Sequence, residues 1–127
     1  MLVRITIMVL RISVLLALIL GIVFWTGNGD SLRPVHIVLG ILVVLSLWIL
    51  GFAQATAKGG SWGLAAGAFI LGLILPIYGL GQDPLMAQFP SLLQVIKVIH
   101  LLLGLVAMGL GEMIAGRYKR LNQTATA

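Results

Sequence analysis

The chain has 127 residues, 61% apolar and only 9% charged, with a net charge of +5, a mean hydropathy of +1.17 and no cysteine. A soluble domain carries about a quarter charged residues, so this composition excludes an ordinary water-exposed surface and makes lipid the expected solvent. The lack of cysteine excludes a disulfide framework, a thiolate metal site and covalent c-type haem attachment.

Four continuous apolar stretches follow one another, at roughly residues 5–26, 34–55, 61–81 and 91–116. Each reaches the ~20 residues that a helix needs to cross a ~30 Å hydrocarbon core. Backbone amides in lipid must be satisfied internally, which requires helices or a closed barrel. Barrel strands alternate apolar and polar residues, and these stretches do not. The first begins with Arg4 and Arg11 before an apolar run, as a signal peptide would. No small-x-small cleavage site follows "GIVFW", and the segment shares a motif with the third stretch, so it is read as a spanning helix.

The turn "TGNGDSLRP" leads to the second stretch, where Pro34 suits the first helical turn and the preceding Arg33 is expected outside the helix. "QATAKGGS" connects stretches two and three. Within the third, Pro76 predicts a kink and a freed carbonyl at Gly72. A longer loop, "GLGQDPLMAQFPS", is bounded by Pro84 and Pro90, and Ser91 is placed to cap the fourth helix. The pattern predicts an all-α fold, a four-transmembrane-helix up-down bundle. It forms one membrane domain over residues 1–120, followed by a flexible tail, 121–127, ending "LNQTATA".

An internal repeat underlies the bundle. "ILG" at 19–21 returns at 70–72, and "HIVLG" at 36–40 returns as "HLLLG" at 100–104. Each unit reads as a helical hairpin whose second helix carries a histidine. Both such helices run in the same direction, so the hairpins are related by an axis along the membrane normal. Arg4, Arg11, Lys58, Arg117, Lys119 and Arg120 fall on the side of the termini, against Arg33 and Lys97 on the other. That bias predicts cytoplasmic termini for a multi-pass protein of a prokaryotic plasma membrane. The basic residues therefore set orientation, with some attraction to anionic lipid, and nucleic acid is not an expected partner.

His36 and His100 are the only histidines, each three residues after a cation and four before a glycine. On a helix, Gly40 and Gly104 lie one turn deeper on the same face, removing a side chain from the space inward of the imidazole. Arg33 and Lys97 lie above, towards water. Diagonal helices of a bundle are about 11–14 Å apart, which suits two imidazoles reaching one iron. Haem b requires such ligands, an apolar slot and cations for its propionates. Gly21 and Gly72, on the first and third helices, would let the flat ring approach those backbones. A lone intramembrane histidine is ordinarily an interhelical hydrogen-bonding residue. Two at repeat-related positions, each with the same glycine and cation, shift the reading to one haem per chain.

Other features have simpler readings. Trp25, Tyr78, Trp62 and Tyr118 read as aromatic belts, and Trp48 as core. Met108 reads as filler. Glu112, the only intramembrane acid, is expected to pair with Arg11 or the basic tail. The glycine-rich faces suit close packing, including between two copies in a homodimer.

A four-helix unit with histidines near the outer ends of helices two and four, each followed by a small residue, resembles one half of the heme A synthase family. The resemblance covers most of the chain but rests on His36, His100, Gly40, Gly104 and the helix order. It departs where that family's catalytic half has a glutamate three residues before the histidine of helix two, because this chain has Arg33 there. The family's outer-loop cysteines are also missing. The resemblance implies a haem-binding, non-catalytic bundle: a small membrane b-type cytochrome passing single electrons to an unidentified redox partner or quinone. Two other classes stay open. One is a half-size heme A synthase-like or quinone-linked enzyme, whose only outer-side acids are Asp30 and Asp83. The other is a cofactor-free scaffold or small transporter.

Overall fold

A computed structural model of the chain describes residues 1–125, with side-chain surroundings through residue 123. It contains four long helices: α1 (Leu2–Trp25), α2 (Arg33–Thr56), α3 (Trp62–Gln88) and α4 (Leu93–Ala125). Short 3-10 turns, Asp30–Leu32 and Pro90–Leu92, precede α2 and α4. No strand is present among the described residues. All four helices are long and apolar enough to cross a membrane.

Cross-helix partners set the arrangement. Arg11 meets Glu112 and Trp25 meets Gln94, so α1 and α4 run antiparallel. Trp48 meets Phe69, and Gly51 meets Ala68, which makes α2 and α3 antiparallel as well. Tyr78 bonds to Ile96, joining α3 to α4. The result is an up-down bundle in which α2 packs against each of the other three helices, including its diagonal partner α4.

The dense core lies in the half nearest the chain termini. Leu10, Leu47, Leu50, Ala68, Ala107 and Ile114 are fully buried there, with Val3, Ile7, Val14 and Val43 around them. Close helix approach depends on glycine at two places. A Cβ on Gly111 would collide with Leu10, and one on Gly72 would collide with the indole of Trp48. In the half that holds the histidines, only Leu39 and Ile96 of the described hydrophobic residues are buried.

The connection between α2 and α3 is tightly held. Ser61 Oγ accepts from the Leu64 N–H at 3.4 Å and caps α3. Gly59 takes a left-handed φ of 79°, a conformation that costs glycine little. The amide of Gln54, which is fully buried, bridges this connection to α4. Its oxygen accepts from the Ser61 N–H at 2.8 Å and from Arg117 Nε at 3.2 Å, and its nitrogen donates to the Ser61 carbonyl at 3.1 Å.

The structure corrects several local expectations. The third helix does not stop near residue 81 but continues through Pro84 to Gln88, so most of the expected long loop is helical. A proline forfeits one intrahelical bond, and neighbouring helices can hold the rest in line; here Arg33 pairs with Asp83 beside the break. Arg33 is itself the first residue of α2, at φ −55° and ψ −43°, because the 3-10 turn runs straight into the helix. Ser91 lies inside the turn that precedes α4, whose helical residues begin at Leu93. At the other end α4 runs past residue 116 to Ala125, taking in residues 121–125 of the expected flexible tail. Residues 126 and 127 of that tail lie outside the described residues.

Candidate functional site

His36 lies in the first turn of α2 and His100 in the second turn of α4. Pro34 pre-sets the entry of α2, and the turn Pro90–Leu92 does the same for α4. These two helices run in the same direction, and both histidines lie near their N-terminal ends. The imidazole centroids are 6.0 Å apart and inclined at 50°.

Each of the other two helices supplies an aromatic wall. Phe24 of α1 meets His36 edge-on, with centroids 5.4 Å apart at 75°. Tyr78 of α3 lies almost parallel to His100, at 6.1 Å and 9°, and its hydroxyl donates to the Ile96 carbonyl at 3.0 Å. Gly79 faces the same imidazole, and a Cβ there would lie 3.1 Å from His100 Cε1. The Ala17 carbonyl of α1 approaches His36. All four helices thus converge on the histidine pair.

Both imidazoles are half-buried, and His36 Nδ1 and His100 Nδ1 are the only buried side-chain nitrogen or oxygen atoms without a partner among the described residues. Buried polar atoms almost always have one. Two imidazoles bound to opposite sides of one metal ion at about 2 Å have ring centres roughly 6 Å apart. The observed separation matches that spacing, and the free nitrogens provide the donor chemistry. The same separation is that of ordinary contact between aromatic rings, so what the pair presents is two neighbouring nitrogen donors without partners. No group of three or more His, Cys, Asp or Glu occurs among the described residues.

The remaining sequence-selected residues divide. Gly21, Gly40 and Gly104 would each place a Cβ in open space, with no atom within 4 Å. Gly72 is instead occupied by Trp48, whose Nε1 donates to the Phe69 carbonyl at 3.4 Å. It belongs to the dense core and lies away from the imidazoles. Arg33 Nη2 donates to Asp83 at 2.7 Å, and Lys97 Nζ lies 6.0 Å from the centroid of Trp25. Both cations are at the histidine end, and each is engaged by a neighbour. Glu112 forms the expected pair with Arg11, in a two-pronged contact that includes Arg11 Nη2 to Oε2 at 2.8 Å.

The roles of Phe24, Tyr78, Gly79 and Ala17 were not visible in the histidine motifs. The only sequence signal for them is position, since each falls near the outer end of α1 or α3. Comparison with protein-family models, with curated proteins and with solved structures finds no match for this chain.

Proposed function

We propose that the chain is an integral membrane b-type cytochrome in which His36 and His100 hold one haem for single-electron transfer. The observation that carries this reading is the pair of imidazoles with ring centres 6.0 Å apart, each with an unpartnered buried nitrogen. Few hydrophobic side chains are buried at that level, and Gly21, Gly40 and Gly104 add no side-chain bulk there. When bound, haem supplies a one-electron couple whose potential depends on ligation, burial and nearby charge.

The chain's own groups do the rest. His36 and His100, on diagonal helices, would hold the iron, and two imidazole ligands would disfavour oxygen binding. Tyr78 and Phe24 restrict rotation of the two rings, which limits rearrangement between oxidation states. Lys97 would supply positive charge at the outer rim, suited to a propionate, whereas Arg33 would have to exchange Asp83 for one. Six of the eight cations belong to the termini side, which supports cytoplasmic termini and a site near the outer leaflet. For the enzyme reading, the Arg33–Asp83 pair leaves Asp30 as the outer-side acid not tied to Arg33.

The test is an absorption spectrum of detergent-purified protein from haem-supplemented cells, oxidised and dithionite-reduced. A sharp Soret band with resolved α and β bands on reduction is expected, with the six-coordinate signature lost in both His36→Ala and His100→Ala. Retention of that signature in both variants would overturn the assignment. So would a colourless protein that fails to take up added hemin, an outcome that favours the scaffold or transporter reading.

A further inference from the structure

The Arg11–Glu112 pair is unusual in its placement. Arg11 is nine residues into α1 from Leu2, about 14 Å along the helix and well within a ~30 Å hydrocarbon core. The pair nevertheless faces outward, with 52% of the arginine side chain and 39% of the glutamate side chain exposed. A guanidinium has five N–H donors, and Glu112 takes up Nε and one N–H of Nη2. The remaining donors have no hydrogen-bond partner among the described residues, on a face that is half exposed. Charged groups at such depth normally face protein or water.

We infer that the α1–α4 face bearing Arg11 and Glu112 is the interface with a second copy of this chain. The patch is its own complement. A cation and an anion stand side by side at one depth, so a two-fold axis along the membrane normal brings each Arg11 over the other copy's Glu112. The two pairs then close into a four-charge ring that satisfies donors and acceptors which one copy leaves exposed. The surrounding surface suits this contact. Leu15 and Ile19 on α1 and Leu105 on α4 are exposed beside the pair, and Gly109, one turn from Glu112, is open on its outer side. Glycine at that position lets a facing backbone approach closely. This inference needs the helices to lie in a membrane but does not depend on haem, and its test reads association instead of colour.

Because the chain has no cysteine, any introduced thiol is unique. Leu105→Cys on the proposed face and Ile77→Cys on the exposed side of α3 are treated with a bismaleimide in native membranes. A covalent dimer from Leu105→Cys and little from Ile77→Cys is expected. Adding Arg11→Leu with Glu112→Leu should weaken association about tenfold, in line with a few interhelical polar contacts. The charge swap Arg11→Glu with Glu112→Arg should restore it. No dimer from Leu105→Cys, equal dimer from Ile77→Cys, or a conjugate with a protein of different mass would each overturn the proposal. Undiminished dimerisation in the double leucine variant would do the same.

Discussion

The two halves of the bundle are built to different standards. Near the termini, leucine, isoleucine and alanine interdigitate to full burial, and a glutamine clasp locks the loop between α2 and α3 to α4. Near the histidines, the same four helices leave open space at three glycines and surround two imidazoles mainly with aromatic rings. In a membrane, helices associate through packing and polar contacts, and most of the close packing lies in the terminal half.

Leucine truncation gives the largest expected contrast between the halves. Leu47→Ala should cost about 2 kcal/mol, because the cavity and lost dispersion remain even where transfer to lipid is nearly neutral. Leu18→Ala, in the half-buried outer part of α1, should cost less than about 1 kcal/mol. Reversible unfolding in mixed micelles measures both, and equal losses would erase the distinction. Gln54→Ala comes next, at about 1–3 kcal/mol, since it strands the Ser61 amide and Arg117 without their acceptor. Enhanced proteolysis at residues 57–61 would be its local signature.

Two smaller effects sharpen the comparison within the histidine half. Tyr78→Phe keeps the ring over His100 and loses only the bond to Ile96, so a cost of about 1 kcal/mol with unchanged haem uptake is expected. Gly104→Leu should shift stability least, by under about 1 kcal/mol, because the added Cβ meets no atom within 4 Å and leucine has the better helix propensity. Its haem uptake should nevertheless fall sharply, as read by a hemin titration of the purified protein. Full uptake by Gly104→Leu would place the guest elsewhere.

The helices and the histidine pair were legible because both depend on short-range pattern. Apolar length sets the spans, and the spacing of His36 and His100 from a following glycine marks two equivalent helix faces. Even the Arg11–Glu112 pairing was foreseeable, since an intramembrane acid has few available partners. What escaped the sequence depends on long-range packing or on local rules that tertiary contacts overrode. Pro84 reads as a helix stop, yet α3 continues through it beside the Arg33–Asp83 bond. Gly72 reads as a cradle for the guest, yet Trp48, 24 positions earlier, fills it. Tyr78 resembles an interfacial anchor until α4 brings His100 beneath it.

The outer rim has a consequence for how any guest arrives. Peptide turns join α1 to α2 and α3 to α4, and side-chain ties join the other two neighbouring pairs, Arg33–Asp83 from α2 to α3 and Trp25–Gln94 from α1 to α4. Together they form a hoop around the mouth of the bundle. A molecule reaching the histidine level without breaking that hoop must slip sideways between helices from the hydrocarbon. The site would then select for cargo that first dissolves in the bilayer, with delivery paced by the lipid.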